Sequence, residues 1–429
     1  MQASKADAIT DAEPKTLAVI GAGVVGLCTA LEAQRQGYRV TLIDKNEAAL
    51  GASFGNAGYL ATELIEPLST AKTLRAALAM WLNPHGPLSL PLAHLPRILP
   101  WLMRFVWAAR QHRVNHGRNA LRQLNQASVP AWERCLKDIG ATEQLVRSGH
   151  LLVWESSAKL AAAKQHADYL SQWGIVTELV QGERLAQLEP DLAASLSHAL
   201  FFPAACRVRE PYALCQQLLT ALQARGGVFV RQQVDKLIPA AMGVFIQTAT
   251  TTHAFDYAVV CTGAWSKALL AGVGLPVPLE AERGYHLTID TNVVQLNHPV
   301  SSAERRFVMS PLDSGLRVVG MTELGGLTLK PFKARFASLH HHSRALLPKL
   351  NDPTLEASEW MGHRPTLPDS LPVIDRHPDY PRLLFAFGNQ HLGLTQAAIS
   401  AELVVDLMMG KAPSINTAPF KVDRFKMGI

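Results

Sequence analysis

Three glycines near the start of the chain have the spacing of a phosphate-binding turn. They lie in the run Gly21-Ala22-Gly23-Val24-Val25-Gly26, directly after a short apolar stretch, 17–20. The first glycine allows a tight turn, the second lets the backbone approach a pyrophosphate, and the third lets the next helix pack against the strand. Free N–H groups at the start of that helix suit phosphate oxygens. This pattern predicts the binding of a dinucleotide.

The elements around the glycines fit that prediction. The stretch 17–20 predicts a buried strand, 27–36 predicts a helix that Gly37 closes, and 39–43 predicts a second strand. Asp44 ends the second strand 18 residues after Gly26, where an acid accepts hydrogen bonds from a ribose diol. The dinucleotide contacts predicted at this end of the chain are Gly21, Gly23, Val24, Val25, Gly26, Asp44 and Lys45.

The loop after the second strand distinguishes between dinucleotides. It reads Gly51-Ala52-Ser53-Phe54-Gly55-Asn56-Ala57-Gly58-Tyr59. A run of small residues suits a chain that passes close beneath a bulky, flat ligand, because large side chains do not fit there. The loop therefore favours FAD over NAD, with contacts from Ser53, Asn56, Ala57 and Gly58.

Two later segments point to the same cofactor. A predicted strand, 255–261, ends in Thr262-Gly263-Ala264. Further on, Gly362-His363-Arg364-Pro365 precedes Pro368-Asp369-Ser370-Leu371-Pro372, a predicted strand, 383–387, and a predicted helix, 396–409. The turn between this strand and helix reads Gly388-Asn389-Gln390-His391-Leu392-Gly393-Leu394-Thr395.

Together these segments resemble the FAD-dependent amine and D-amino-acid oxidoreductase family, which includes D-amino-acid oxidase, glycine and sarcosine oxidases and the bacterial D-amino-acid dehydrogenases. The resemblance runs from about 16 to 410. The GASxGNAG loop is most similar to the D-amino-acid dehydrogenase branch, including its hydroxy-D-proline members. The chain departs from the family at Ile374-Asp375, where relatives usually have an apolar residue followed by Gly.

The resemblance implies roles for individual residues. Arg364 of the GxRP motif would bind a substrate carboxylate, which a guanidinium fork holds better than a lysine. Tyr285 and His286 would contact the substrate and Tyr59 would cap its pocket, while His363 and His391 would tune the flavin or the substrate amine. A helix N-terminus beside the reduced flavin would stabilise its negative charge. The remaining implied FAD contacts are Val234, Thr262, Gly263, Gly388, His391, Leu392, Gly393, Leu394 and Thr395.

The implied activity is oxidation of the C–N bond of a D-amino acid, with hydride transfer to flavin N5, hydrolysis of the imino acid to a 2-oxo acid, and a quinone or respiratory-chain acceptor. Alternatives are a hydroxy-D-proline dehydrogenase, a sarcosine- or glycine-type oxidase that uses O2, and a flavin-holding, tRNA-modifying module. The presence of Arg364 and the lack of a basic patch argue against a tRNA-modifying module. None of the five cysteines lies in a motif for covalent flavin attachment, so non-covalent FAD is expected.

The interleaved motifs predict an α/β fold with an α+β substrate part. A Rossmann-like FAD-binding domain with a parallel sheet would comprise 16–75, 205–275 and 355–429, and a discontinuous substrate domain with a mostly antiparallel sheet would comprise 76–204 and 276–354. Residues 1–15 would form a loose tail. The remaining predicted strands are 150–155, 199–208, 226–234, 244–249, 283–289, 307–311 and 316–323.

Composition excludes several other classes of protein. With 48% hydrophobic and 18% charged residues, the chain is not disordered. A net charge of +6 without a dense basic run gives no support for nucleic-acid binding. The three adjacent histidines, 340–342, would point in different directions on a helix, so no metal site is expected. Five scattered cysteines and no signal-peptide pattern indicate a cytoplasmic protein.

The sequence is compatible with two roles for one apolar segment. The uncharged run 76–96 contains four prolines, which exclude a transmembrane helix. The wider segment 74–110 is rich in Trp and Leu. It would form either a helical lid over the substrate or a peripheral contact with the inner face of the membrane.

Overall fold

The computed structural model describes residues 14–290 and 293–425, so most of the predicted tail, 1–15, lies outside the described residues. In chain order the strands are β1 (Thr16–Ile20), β2 (Arg39–Asp44), β3 (Tyr59–Leu60), β4 (Leu88–Ser89), β5 (Leu145–Val146), β6 (His150–Trp154), β7 (Glu178–Gln181), β8 (His198–Phe202), β9 (Cys206–Val208), β10 (Val228–Arg231), β11 (Val234–Ala240), β12 (Gly243–Thr248), β13 (Thr252–Phe255), β14 (Tyr257–Val260), β15 (Glu280–Ile289), β16 (Val300–Ser302), β17 (Val308–Leu312), β18 (Gly315–Leu324), β19 (Ala357–Thr366), β20 (Val373–Arg376) and β21 (Leu383–Phe387).

Ten α-helices occur in the same described residues. They are α1 (Val24–Arg35), α2 (Ala71–Leu82), α3 (Leu95–Ala108), α4 (Gln111–Ile139), α5 (Leu160–Ser171), α6 (Gly182–Leu188), α7 (Pro211–Ala224), α8 (Ser266–Gly272), α9 (Lys333–Leu346) and α10 (Gly393–Met409).

A six-stranded sheet carries the phosphate-binding turn. Its order is β10-β2-β1-β14-β21-β20, and every neighbouring pair is parallel except β20 with β21. The central strands are continuous apolar runs, as expected for strands that are buried on both faces. Helix α1 packs on β1 and β2 and contacts α7 and α10. This sheet confirms the predicted Rossmann-like half of the fold.

A nine-stranded sheet forms the other half. Its order is β19-β15-β18-β17-β16-β6-β8-β7, with β4 paired to β18. Most pairs are antiparallel, and only β6 with β16 and β4 with β18 are parallel. Strand β15 is almost entirely buried. The predicted α/β fold with a mostly antiparallel second sheet is therefore confirmed.

Several element boundaries differ from the predictions. Helix α1 begins at Val24 and α10 begins at Gly393, three residues earlier than predicted in each case, because helix formation starts within the glycine turns themselves. The single strand predicted over 199–208 is wrong, since a turn at 203–205 divides it into β8 and β9, which belong to different sheets. The strand predicted over 226–234 is likewise divided into β10 and β11.

The domain boundaries stay a prediction, and one strand crosses them. Strand β19 lies in the segment predicted for the FAD-binding domain, but it pairs along its whole length with β15 of the nine-stranded sheet.

The departure from the family pattern at Asp375 has a structural role: this β20 side chain accepts a hydrogen bond from the N–H of Val422 (2.9 Å). The carboxylate thus holds the C-terminal segment against the six-stranded sheet.

One helix has the length and composition of a membrane span among the residues that the structure describes. It is Gln390–Met409, which is mostly α10, and 78% of its apolar stretch is buried inside the protein. Burial of this kind is typical of a central core helix. The segment 76–96 contains the end of α2, β4 and the start of α3, so no single helix spans it.

The glycine turn after β1 is fixed by close backbone contacts. Gly21 has φ of +105°, and its N–H donates to the carbonyl of Ile43 (2.7 Å). A Cβ on Gly26 would lie 1.8 Å from the carbonyl oxygen of Gly21. Only a glycine at position 26 allows α1 to approach the turn this closely.

Replacing Gly26 with Ala should therefore destabilise the protein. Relief of the backbone clash requires a shift of α1, and overpacking of this kind costs about 1–3 kcal/mol or more. Urea unfolding measures the loss of free energy. The matched control is Gly272→Ala, since a Cβ there meets nothing within 4 Å. Equal unfolding midpoints for the two variants would contradict the packing role of Gly26.

Candidate functional site

A large cavity is bordered by both halves of the fold. Its volume is about 1030 Å³, and its wall includes the glycine turn after β1, the loop 51–57, the turn after β14, strands β15 and β19, and the start of α10. The predicted cofactor residues on this wall are Gly21, Gly23, Val24, Val25, Asp44, Lys45, Ser53, Asn56, Ala57, Val234, Thr262, Gly263, Gly388, His391, Gly393 and Leu394. Segments far apart in sequence therefore meet around one space.

Four predicted cofactor residues support the wall without bordering the cavity. Gly26 packs against the glycine turn, as described above. Gly58 has φ of +73°, which lets the loop turn into β3. Leu392 is buried at the N-cap of α10, and the hydroxyl of Thr395 accepts a hydrogen bond from the N–H of Ala61 (3.0 Å). Direct contact of these four with FAD stays a prediction.

The phosphate end of the cavity is organised by hydrogen bonds. The N–H of Val24 donates to the hydroxyl of Ser53 (2.9 Å), which ties the loop to the start of α1. Asp44 lies at the end of β2 and accepts from the N–H groups of Ala22 (2.7 Å) and Asn46 (2.9 Å). Helix α1 has no acidic residue in its first turn. Its N-terminus is therefore suited to an anion.

The opposite part of the wall is formed by the start of α10. Gly388 has φ of +87°, and a short turn at 390–392 leads directly into the helix. A Cβ on Gly393 would meet nothing within 4 Å, so open space lies beside the first residue of α10. The position of the helix is fixed from behind by the indole N–H of Trp132, which donates to the carbonyl of Leu394 (2.8 Å). The N-terminal N–H groups thus border the cavity.

Arg364 projects from β19 into the same cavity. Its Nη1 donates to Glu282 (2.9 Å) and to the carbonyl of Met321 (3.2 Å), and the side chain is 18% exposed. No described residue accepts a hydrogen bond from its Nε or Nη2. The guanidinium lies over the backbone of Gly284, where a Cβ would be 2.4 Å from Cζ. The arginine is therefore ion-paired on one side and retains free donors on the other.

The sequence reading missed Glu282, the partner of this arginine. The carboxylate is buried in β15 directly opposite Arg364 in the strand pairing, and it also accepts from the hydroxyls of Thr322 and Thr366 (both 3.0 Å). Burial by itself raises the pKa of Glu282, but the nearby Arg364 and His391 hold that pKa below its usual value. The predicted strand began at 283, one residue too late to include this acid.

His391 completes this corner of the cavity. Burial lowers the pKa of its imidazole to about 4, although the carboxylate of Glu282 opposes the shift. The imidazole is therefore neutral near pH 7. The charges here are those of Arg364 and Glu282, which cancel, so an anion that binds Arg364 adds uncompensated negative charge.

Tyr285 and His286 point away from each other because they are neighbours on a strand. The Tyr285 ring is fully buried against Phe336, and its hydroxyl accepts from the N–H of Phe332 (3.1 Å), although the residue borders the cavity. His286 does not border the cavity; its ring stacks on Trp360, with centroids 5.0 Å apart. Both rings thus have protein partners, and their contact with a substrate stays a prediction.

Tyr59 and His363 both lie on the cavity wall. Tyr59 is buried at the start of β3 and stacks on His150, with ring centroids 4.3 Å apart. His363 packs edge-on against Trp265, and burial lowers the pKa of His363 to about 4. Its Nε2 is buried without a hydrogen-bond partner in the part of the chain that the structure describes.

The adjacent histidines at 340–342 have separate environments. His341 stacks on His85, whereas His342 contacts the carbonyl of His85 through Nε2 (2.8 Å) and Arg305 through Nδ1 (3.0 Å). Within the ranges 14–290 and 293–425, no group of three His, Cys, Asp or Glu side chains is arranged to hold a metal ion.

The cavity fits FAD on several counts. The glycine turn and the start of α1 lie on the cavity wall, where they would hold a pyrophosphate, Asp44 on the same wall would hold a ribose, and open space beside the start of α10 would receive the flavin. The orphaned Nε2 of His363 would gain a partner from a polar ligand. A dinucleotide cavity whose wall includes an arginine and a helix N-terminus is typical of a flavin-dependent oxidoreductase.

Comparison with known proteins gives the family. Residues 16–407 match the family described as DAO, FAD dependent oxidoreductase. The chain is 33% identical to a D-amino-acid oxidase of Bradyrhizobium diazoefficiens, over 96% of this chain and 99% of the relative. It is 30% identical to a D-amino acid dehydrogenase of Cereibacter sphaeroides, over 95% of each chain. The protein therefore belongs to the DAO family of FAD-dependent oxidoreductases.

The solved structures show the same fold. Glycine oxidase from Geobacillus kaustophilus matches with a TM-score of 0.75 at 21% identity, over 96% of this chain and 99% of that one. The family match and the curated relatives confirm the predicted cofactor, FAD, and the predicted enzyme class, and the family resemblance stated from the motifs was correct.

Exchange of Asp44 for Asn should weaken FAD binding while the fold is kept. The substitution removes a charged acceptor of similar shape, and hydrogen bonds to charged groups contribute about 1.5–3 kcal/mol, which corresponds to roughly a tenfold to hundredfold rise in the FAD dissociation constant. Titration of the apoprotein with FAD, followed by flavin fluorescence, measures that constant. Asp138→Asn, at an exposed ion pair with Arg225, is the matched control. Identical FAD affinities would contradict the ribose role.

Proposed function

We propose that this enzyme oxidises the C–N bond of a D-amino acid. The observation that carries the proposal is Arg364, whose Nε and Nη2 have no acceptor among the described residues and which borders the cavity beside the start of α10. A carboxylate is the ligand that a guanidinium edge binds bidentately. The relatives named D-amino-acid oxidase and D-amino acid dehydrogenase support this choice of substrate.

The protein residues would position the substrate. Glu282 holds one side of the guanidinium. Gly284 lies beneath the group and has no side chain that would push the planar guanidinium out of place. The substrate carboxylate would take the remaining donors, which fixes the orientation of the α-carbon. Positioning of reacting groups in this way contributes several kcal/mol, up to about 7–11 in favourable cases. FAD, when bound, supplies the acceptor for the two electrons.

The reaction would convert an amine into an imine. The α-carbon loses its hydrogen with both bonding electrons as the nitrogen lone pair forms the C=N bond, and the nitrogen loses a proton. Water then adds to the released imino acid, which gives a 2-oxo acid and ammonia, whereas a cyclic imine would persist. Because the neutral His391 adds no second cation beside Arg364, the arginine remains the anchor for the anion.

The electron acceptor that we propose is a membrane quinone. The reason is an exposed apolar surface on α2 and α3 and their connection, which we call the α2–α3 surface. No residue of α2 is fully buried. The α2–α3 surface consists of Leu78, Trp81, Leu82, Leu92, Leu99, Met103 and Val106, which are between 37% and 70% exposed.

The charge around the α2–α3 surface fits an anionic lipid layer. Between Glu66 and Glu133 the chain has no acidic residue, but it has eight basic ones. Apolar side chains flanked by basic residues are typical of helices that lie in the headgroup region of a membrane. Five free cysteines suit the reducing, cytoplasmic side. We therefore propose peripheral binding at the inner face of the membrane.

The same helices contribute to the cavity wall. Leu74, Ala77 and Met80 of α2 and Leu102 and Phe105 of α3 border the cavity, and so does Val106 of the α2–α3 surface, whereas the other six residues of that surface do not. A lipid-soluble acceptor held at that surface would thus be separated from the cavity by one layer of helix. This arrangement favours a quinone over dissolved O2.

Loss of Arg364 should impair substrate binding far more than FAD binding. Arg364→Lys keeps a charge for Glu282 but loses the fork, and Arg364→Ala leaves that acid unpaired. Truncating one partner of a buried charge pair costs about 2–5 kcal/mol, or roughly 30-fold or more in affinity. Anaerobic bleaching of the bound flavin by a panel of D-amino acids measures apparent affinity, with Arg184→Ala, at an exposed ion pair, as the control.

The proposal would be abandoned if Arg364→Ala were fully reduced with wild-type affinity. A panel that includes hydroxy-D-proline, sarcosine and glycine identifies the substrate. Comparison of quinone reduction with hydrogen peroxide yield identifies the acceptor.

Exchange of one exposed methionine should abolish membrane binding. Met103→Glu places a negative charge within the α2–α3 surface, whereas Met242→Glu introduces the same change at an even more exposed position in the turn between β11 and β12 (73% exposed against 54%). We expect wild type and Met242→Glu to co-sediment with vesicles of mixed anionic and neutral lipid, with binding weakened by salt, and Met103→Glu to remain in the supernatant. Similar sedimentation of both variants would exclude this surface as the contact.

A further inference from the structure

A second polar cluster borders the cavity, apart from the pair of Arg364 and Glu282. It consists of Glu63, Tyr59, His150 and Ser301, and we call it the Glu63 cluster. The hydroxyl of Tyr59 lies 3.0 Å from Nδ1 of His150, and Nε2 of His150 lies 2.8 Å from the hydroxyl of Ser301. The carboxylate of Glu63 lies near the hydroxyl of Tyr59. The cluster thus joins β3 and its following loop to β6 and β16 across the cavity wall.

Glu63 differs from the buried glutamates in its partners. Four buried glutamates each have a basic side chain in contact: Glu282 with Arg364, Glu323 with Arg283, Glu189 with His298, and Glu280 with His94. Glu63 is partly exposed, borders the cavity and has no basic partner among the described residues. A cationic ligand in the cavity can therefore reach its carboxylate and supply the missing opposite charge.

The surroundings of Glu63 offer no charge compensation. Burial raises the pKa of Glu63 to about 7, while hydrogen bonds from Tyr59 and from the backbone oppose the shift. His150, which faces the same hydroxyl, has a pKa lowered to about 3 by burial and is neutral near pH 7. Glu66 also borders the cavity, but it is paired with Arg118. Arg306 borders the cavity from the loop before β17 and is exposed.

An amino acid carries the charge that this cluster lacks. Arg364 provides cationic donors for its carboxylate, and Glu63 provides a carboxylate on the cavity wall that has no basic partner among the described residues. Resting on the function proposed above, we infer that the Glu63 cluster is a subsite for a cationic nitrogen of the substrate. The nitrogen is either the α-ammonium group or an ammonium or guanidinium group on the substrate side chain.

This subsite predicts how substrate binding changes with pH. A bound cation stabilises the ionised form of Glu63 and so lowers its pKa. In the free enzyme, acidification through about pH 7 protonates Glu63 and removes its attraction for a cation. Affinity for the cationic substrate should therefore fall as the pH is lowered through this range, and Glu63→Gln should abolish that dependence.

The test compares wild type, Glu63→Gln and the control Glu133→Gln, which changes a partly exposed glutamate that pairs with Arg147. Apparent dissociation constants come from anaerobic flavin bleaching with D-lysine, D-arginine, D-norleucine and D-citrulline, so each cationic substrate has a neutral counterpart of similar shape. If the side-chain nitrogen binds Glu63, Glu63→Gln weakens D-lysine and D-arginine by about tenfold or more and leaves the neutral pair unchanged.

If the α-ammonium group binds Glu63, all four substrates weaken together and all lose the pH dependence. Unchanged constants and pH profiles for all four substrates would overturn the subsite. Wild type that no amino acid bleaches would instead refute the proposed function, and the inference that rests on it. FAD content shows that each variant is folded.

Thermal unfolding gives a measurement that does not involve activity. Because the pKa of Glu63 is raised from 4.5 to about 7 in the folded protein, its contribution to stability is complete below about pH 4.5 and is lost as the pH rises through about 7. Glu63→Gln cannot ionise. The Tm of Glu63→Gln minus the Tm of wild type should therefore increase as the pH is raised from about 5 to about 8.5. The same difference for Glu133→Gln should stay constant. If the difference in Tm between Glu63→Gln and wild type did not change with pH, the pKa of Glu63 would not be raised in the folded protein.

Discussion

The ion pair between Glu282 and Arg364 is the interaction on which the inner end of the cavity depends. It joins two directly opposed residues of adjacent strands, and two threonine hydroxyls complete the hydrogen bonding of the acid. Burying one of these charges alone would be costly, so each requires the other. The pair leaves part of the guanidinium free for a ligand and fixes its direction. An arginine that was merely exposed would lack that fixed orientation.

Two helix N-termini meet the same cavity from different parts of the chain. Helix α1 starts in the first glycine turn and α10 starts in the last, and they pack against each other. This packing explains how two helix starts 369 residues apart, at Val24 and Gly393, can surround one cofactor. It also separates two tasks, because α1 suits the pyrophosphate and α10 suits negative charge that develops on a ring system.

Much of the fold followed from local patterns, whereas the site's internal partners did not. Glycine spacing and apolar runs are local signals, so they identified the first turn and most strands, whereas the role of Arg364 came from the family resemblance. Glu282 and Glu63 depend on long-range strand pairing and on enclosure, which a single sequence does not display. The alternation of β15 also sends the Tyr285 ring towards α9, although the strand itself was predicted correctly. Local pattern recognised the strand, but not which face met the cavity.

The burial of β15 on both faces has a consequence for strand alignment. Glu282 and Arg283 are neighbours on this strand, and each is paired with an opposite charge on a different side of the sheet. A slip of one residue against β19 would exchange them and bring two guanidinium groups together. Electrostatic repulsion therefore penalises the misaligned sheet, in addition to the usual exchange of apolar and polar faces. The order of the charges along this strand thus favours the native register when the sheet forms.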